Sequence, residues 1–231
     1  MKKEDFKGKK IVVLGFGVEG ESAANFLLEN GAEVFVVDVR SEDKFEPEKI
    51  SGLKQRGVEF QFDSYPEDFS KFDLILRSPG ISPLSIVAEK IKKQGVEFTS
   101  PTKIFFDFCP CPIIGVTGTK GKSTTSTLIY EMLREEGFDV YLGGNVGKPP
   151  LDFLDELKSD SKVVLELSSF QLQDLDKSPQ IAVVLMLTSE HLDYHRDIKE
   201  YINAKRGVSK ETPLLFFDSK IANFNEQPIH S

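Results

Sequence analysis

The stretch that most limits how this chain can fold is Gly115-Val-Thr-Gly-Thr-Lys-Gly-Lys-Ser-Thr-Thr125. An apolar run, Pro112-Ile-Ile-Gly-Val116, precedes it and reads as a short buried strand. Residues 123–136 follow, with Leu128, Ile129, Met132 and Leu133 at helical spacing, and Gly137 stops the run. Strand, glycine loop and helix in that order suit a nucleotide triphosphate. Glycines let backbone N–H groups close round phosphate oxygens, and a helix N-terminus adds favourable partial charge. Lys122 is placed to reach the β- and γ-phosphates, and the Ser123 hydroxyl to ligate Mg²⁺. The pattern departs from the strict G-x-x-x-x-G-K-[ST] loop, because Val116 stands where its first glycine belongs. That tells against an ordinary P-loop NTPase.

A chain of 231 residues allows one large or two small domains. Its formal net charge of -8 offers no global field for nucleic acid or an anionic membrane, so a polyanionic ligand needs local groups. The charged N-terminus is no signal peptide, and no apolar run reaches membrane-spanning length. A cytoplasmic, monomeric protein is expected. Cys109 and Cys111, in Phe108-Cys-Pro-Cys-Pro112, make neither a zinc site nor a disulfide framework and read as a proline-stiffened linker.

In the first half, the strand Lys10-Ile-Val-Val-Leu14 runs into Gly15-Phe-Gly-Val-Glu-Gly20, a helical run, and a second strand ending at Asp38. This is G-x-G-x-x-G with an acid about 20 positions on, the fingerprint of a βαβ dinucleotide site. Read alone it says NAD, with Asp38 on a ribose hydroxyl. Physically it asks only for a diphosphate near residues 17–20 and a polar nucleoside group near Asp38, and a ligand-free tight turn would need the same glycines. Residues 40–49 read as a charged loop. The strand Asp73-Leu-Ile-Leu-Arg77 opens onto Ser78-Pro-Gly-Ile-Ser82, a turn placed where open α/β sheets bind ligands.

In the second half, a strand ends in Gly143-Gly-Asn-Val-Gly147, and residues 149–157 look helical. Lys162-Val-Val-Leu-Glu-Leu167 carries Glu166 among apolar neighbours, which is costly unless the acid is paired or binds metal. The strand at residues 180–187 leads into Thr188-Ser-Glu-His-Leu-Asp-Tyr-His195, which suits either a metal–phosphate site or a helix cap. As bare sequence, Lys205 in the helical run 198–209 is a solvated surface lysine. Strands and helices alternate throughout. The expected fold is α/β: a Rossmann-like parallel-sheet domain over residues 1–110, then a partial P-loop domain over 111–231.

Assembled in order, these motifs resemble the Mur ligases of peptidoglycan synthesis. Thr117-Gly-Thr-Lys-Gly-Lys-Ser-Thr124 resembles the family's ATP loop, with Lys120 at a position often occupied by asparagine. Gly143-Gly-Asn-Val-Gly147 and Glu166-Leu-Ser-Ser-Phe-Gln-Leu172 resemble the D-glutamate-adding branch, and His191-Leu-Asp193 and Ala204-Lys205 follow in family order. The resemblance implies an ATP-dependent amide ligase. ATP would phosphorylate the alanyl carboxylate of UDP-N-acetylmuramoyl-L-alanine, and the amine of D-glutamate would attack the acyl phosphate. Catalytic roles fall to Lys122, Glu166, His191 and Lys205, and ATP contacts to Gly118, Thr119, Lys120, Gly121, Lys122, Ser123 and Thr124. Mg²⁺ would be held by Ser123, Glu166, His191 and a carbamylated Lys205. The first domain would bind UDP rather than NAD, through Gly17, Val18, Glu19, Gly20, Asp38, Val39, Ser78, Pro79, Gly80 and Ile81. Asn145, Ser168 and His191 would face the muramoyl-alanine end.

Family members are about twice this length and carry a third, D-glutamate-binding domain. The resemblance therefore implies a chain that stops inside the central domain, lacks that lid and is inactive alone. The competing readings are a non-catalytic nucleotide-binding fragment and a nicotinamide-dependent oxidoreductase. The latter leaves the Gly-Lys-Ser loop and Glu166 unexplained.

Overall fold

A computed structural model describes residues 2–173, 175–188, 196–209 and 212–217. The chain divides into two compact units, Met1–Ile104 and Phe105–Ser231. The division falls inside a helix ahead of the Cys-Pro-Cys-Pro segment. Its physical basis is visible there: Phe105 packs edge-on against Phe153, ring centroids 5.7 Å apart, and Asp107 pairs with Lys177.

The first unit holds β1 (Lys10–Leu14), α1 (Val18–Glu29), β2 (Glu33–Val37), α2 (Pro47–Gln55) and β3 (Glu59–Gln61). It continues through β4 (Leu74–Arg77), α3 (Ile86–Lys93) and β5 (Glu97–Thr99) to α4 (Pro101–Phe108), which crosses the division. The sheet is parallel, in the order β3-β2-β1-β4-β5. β1 and β4 are buried on both faces, which is why they read as unbroken apolar runs. One core cluster joins Val12, Leu14, Val37 and Ile75 to Phe69, Phe72, Val87 and Ile91. Strand order reverses at β1, so the crevice beyond its carboxyl end, between β2 and β4, is the switch point where such sheets take ligands. Helix α2 begins within the last three residues of the run 40–49, which the sequence suggests is a charged loop. Pro47 at its first position supplies the helix start, and only Ile50 and Leu53 of it are buried.

The second unit holds β6 (Ile113–Thr117), α5 (Lys122–Glu135), β7 (Val140–Gly144), β8 (Lys162–Glu166) and α6 (Ser169–Leu172). β9 (Ile181–Val184), α7 (Ile198–Arg206) and β10 (Leu214–Phe217) follow. Its sheet is also parallel, in the order β10-β9-β6-β8-β7. Two short 3₁₀ turns, Pro150–Asp152 and Leu154–Glu156, replace the helix expected at 149–157. Of the expected apolar face of α5, Ile129 and Leu133 pack on Ile114, Val116 and Val164, whereas Leu128 and Met132 are exposed. Among the described residues no helix is long and apolar enough to cross a membrane.

The Cys109 thiol donates to the Cys111 carbonyl at 3.4 Å, and the two sulfurs lie 3.7 Å apart. Burial pushes both thiols up, Cys109 to about 12.

Candidate functional site

In the first unit the glycine turn joins β1 to α1. Gly15 takes φ +88, and Gly20 packs so closely that a Cβ there would lie 2.0 Å from the Gly15 carbonyl oxygen. The turn is locked from β4 as well, since Ser78 Oγ donates to that same carbonyl at 2.6 Å. Gly17 caps α1 without a side-chain partner, leaving helix-start amides beside the exposed Val18. Glu19, also in this first turn, is half-buried.

Asp38, at the tip of β2, is buried and heavily bonded. One carboxylate oxygen accepts the Phe16 N–H at 2.7 Å and Arg40 Nη2 at 2.8 Å. The other accepts the Arg40 N–H at 2.9 Å and Arg40 Nε at 3.0 Å. Burial alone would raise this carboxyl, but the Arg40 guanidinium and the two amides outweigh it and hold it below its ordinary value. The same contact raises Arg40, whose guanidinium also lies 4.6 Å from the Phe45 ring centre. Val39 is exposed next to this knot.

The residues Ser78, Pro79, Gly80 and Ile81 turn back at the tip of β4, the Ile81 N–H reaching the Ser78 carbonyl at 3.0 Å. Beneath them lies Arg77, completely buried, with Nη1 donating to the Ile81 carbonyl at 3.0 Å. In the sequence Arg77 reads only as a strand end. The available signal was a cation closing an apolar run, since an arginine is seldom buried without strong hydrogen bonding.

In the second unit the loop Gly118–Gly121 joins β6 to α5. Gly118 (φ +151) sits against Leu185, where a Cβ would come within 2.7 Å, and Gly121 (φ +86) caps α5 with no side-chain bond. The amides of Lys122, Ser123 and Thr124 therefore open the helix without a side-chain cap. Lys120 and Ser123 are exposed, and Lys122 Nζ rests on the Thr119 carbonyl at 3.0 Å. Thr119 is buried and differently employed. Its N–H donates to the Met186 carbonyl, and its hydroxyl meets Thr188 and Tyr201.

Glu166 ends β8 opposite Val116 in β6, one strand from the loop. It is 1% exposed. Asn145 Nδ2 holds Oε1 at 2.8 Å, while Oε2 has no hydrogen-bond partner among the described residues. An orphaned buried carboxylate oxygen costs about 1–3 kcal/mol or more, a cost that a bound cation would offset. The Asn145 N–H also donates to the Glu166 carbonyl, and a Cβ on Gly144 would lie 2.2 Å from that carbonyl oxygen. Ser168 caps the short α6 in a box with Gln171.

Lys205 contradicts its reading as a surface lysine. It is 2% exposed, with Nζ donating to the Gly118 carbonyl at 2.9 Å and lying 3.4 Å from Thr117 Oγ1. Helical spacing could have shown this: Tyr201, Ala204, Lys205 and Val208 share one face, and all four are buried. His191, with Glu190 and Asp193, lies outside the described residues. Among those described, no three His, Cys, Asp or Glu side chains converge.

Comparison with known proteins places both units. Residues 9–100 match the Mur ligase MurD-like N-terminal domain, and residues 116–224 match the Mur ligase middle domain. The chain belongs to the Mur ligase family. The UDP-N-acetylmuramoylalanine--D-glutamate ligase of Clostridium acetobutylicum is 40% identical, the match covering 94% of this chain and 48% of that protein. Its Acetivibrio thermocellus counterpart is 38% identical over 95% of this chain and 48% of its own length. This Mur ligase chain thus spans about half the length of the curated relatives it matches. Among solved structures, a UDP-N-acetylmuramate:L-alanyl-gamma-D-glutamyl-meso-diaminopimelate ligase from Neisseria meningitides shares the fold. There the TM-score is 0.61 at 19% identity, covering 96% of this chain and 75% of that one.

Proposed function

We propose that this chain supplies the UDP-substrate-binding and ATP-binding parts of a cytoplasmic ligase that joins D-glutamate to UDP-N-acetylmuramoyl-L-alanine. Residues 1–110 take the nucleotide sugar, and residues 111–231 take ATP. The observation that carries this is the bare Oε2 of Glu166 beside a lysine-bearing glycine loop. A hard cation is bound by oxygen donors, and a buried carboxylate with one open oxygen, one strand from the loop that leads to an exposed serine hydroxyl, fits Mg²⁺. Ser123 and Glu166 would hold that ion, which when bound offsets phosphate charge.

The other roles follow from place. Lys122 leaves the Thr119 carbonyl for the β- and γ-phosphates, where a charge-assisted bond is stronger. The Lys122, Ser123 and Thr124 amides, with Lys120 and the backbone of Gly118 and Gly121, enclose the phosphate chain. His191 and a carbamylated Lys205, whose Nζ–H can still donate to the Gly118 carbonyl, would complete the metal side. The amides at the start of α1, from Gly17 through Gly20, receive the diphosphate, with Val39 and residues 78–81 around the uridine and Asp38 beside them holding the Phe16 amide and Arg40. Asn145, Ser168 and His191 face the muramoyl end. The chain's work is electrostatic: it gathers phosphate and carboxylate charge and orients the acyl carbon for attack.

The nicotinamide reading weakens on one point. Asp38, which would have to bind a ribose hydroxyl, already accepts four hydrogen bonds from Phe16 and Arg40. Calorimetric titration tests the assignment. UDP-N-acetylmuramoyl-L-alanine and MgATP should each bind once and independently, and NADH should give no heat. Binding of NADH, or competition between the two expected ligands, would overturn it.

A further inference from the structure

We propose that Tyr201 is a positioning residue for the phosphate loop, and that Thr119 anchors the loop rather than touching nucleotide. The proposal rests on reading Gly118–Gly121 as the ATP loop. A threonine hydroxyl has one hydrogen to donate and two lone pairs to fill. Thr119 Oγ1 donates to the Thr188 carbonyl at 3.0 Å and accepts the Thr188 N–H at 2.9 Å. Tyr201 OH stands 2.9 Å away and fills the remaining lone pair as donor. The hydroxyl is then saturated. The Thr119 N–H is also engaged, on the Met186 carbonyl at 2.9 Å, so neither polar hydrogen of Thr119 is left for a phosphate oxygen.

One helical turn further along α7, Lys205 Nζ holds the Gly118 carbonyl at 2.9 Å. Two side chains four residues apart on one buried face of α7 thus grip consecutive residues at the start of the loop. Lys120, Gly121 and Lys122 follow immediately, so slack at Thr119 moves the amides and the lysine that meet phosphate. Such hydrogen-bonded networks are cooperative, and a misplaced donor loses most of its value.

Tyr201→Phe keeps the ring and its packing but removes the donor. Two measurements are made on the whole chain: amide hydrogen exchange of residues 118–122 without nucleotide, and the MgATP dissociation constant. Each is expected to rise about fivefold, one ordinary hydrogen bond's worth, while UDP-substrate affinity stays put. Thr119→Val is the second variant. Tyr201→Phe added to Thr119→Val should change neither measurement, since their shared bond is already gone. Wild-type exchange and affinity in Tyr201→Phe, or effects that simply add in the double variant, would overturn the proposal. Should wild-type protein bind no MgATP while Tyr201→Phe still speeds loop exchange, the strap stands and the ATP assignment falls.

Discussion

The two units build the same device and finish it differently. Each places a glycine turn after the strand at which its sheet reverses order, with a buried acid at the tip of a neighbouring strand. In the first unit that acid, Asp38, is fully occupied by Phe16 and Arg40, so it belongs to the scaffold. In the second, Glu166 keeps one oxygen bare. Helix α1 carries Glu19 and Glu21 in its first turn, whereas α5 starts at Lys122, with Lys120 in the loop before it. Similar topology therefore yields one turn beside a saturated acid and another beside an acid with an open oxygen.

Four substitutions test that contrast, in falling order of effect. Lys122→Ala should weaken MgATP binding about a hundredfold, the loss of a charge-assisted contact, and leave UDP-substrate affinity unchanged by calorimetry. Equal loss of both ligands would break the division between the units. Asp38→Asn should cost about 2 kcal/mol at pH 7, because buried donors lose an ionic acceptor. The folded Asp38 carboxyl lies below its ordinary value, so its contribution is fully present above about pH 4 and fades as pH falls through the folded value. Urea unfolding across pH 2–7 should show the gap between wild type and Asp38→Asn closing at the acid end.

Glu166→Gln should move the other way. Removing a buried, half-partnered charge raises the stability of ligand-free protein by about 1 kcal/mol, while the extra thermal stabilisation that Mg²⁺ gives to the ATP complex disappears. A destabilised variant that still responds to Mg²⁺ would remove Glu166 from the cation site. The smallest effect is expected for Gly17→Ala, within about 0.5 kcal/mol. The backbone there has negative φ, and nothing lies within 4 Å of an added Cβ. A large loss of stability would mean that this turn is packed as tightly as the one at Gly118.

Most of the architecture was legible in the chain. Parallel strands buried on both faces announce themselves as continuous Val, Ile and Leu, and glycine turns mark their carboxyl ends. Glu166 was legible too, because an acid inside such a run has to be explained. What escaped depends on distance in sequence. No local pattern tells that Thr119 will find Thr188 and Tyr201, or that Arg77 will support the turn it precedes. By residue type alone Lys205 belongs in water, and only its helical spacing with Tyr201 points to the interior position it takes. The exposed Leu128 and Met132 show the converse, since apolar residues three and four apart need not all face one core.

The paired sulfurs at Cys109 and Cys111 have a practical corollary. Thiols held protonated in this way carry almost no thiolate at neutral pH, and it is the thiolate that alkylating dyes attack. A fluorophore could therefore be attached at a newly introduced cysteine, for example Val18→Cys at the mouth of the first glycine turn, with both native sulfurs left in place. Titration with the proposed nucleotide sugar could then be followed optically with both native cysteines in place.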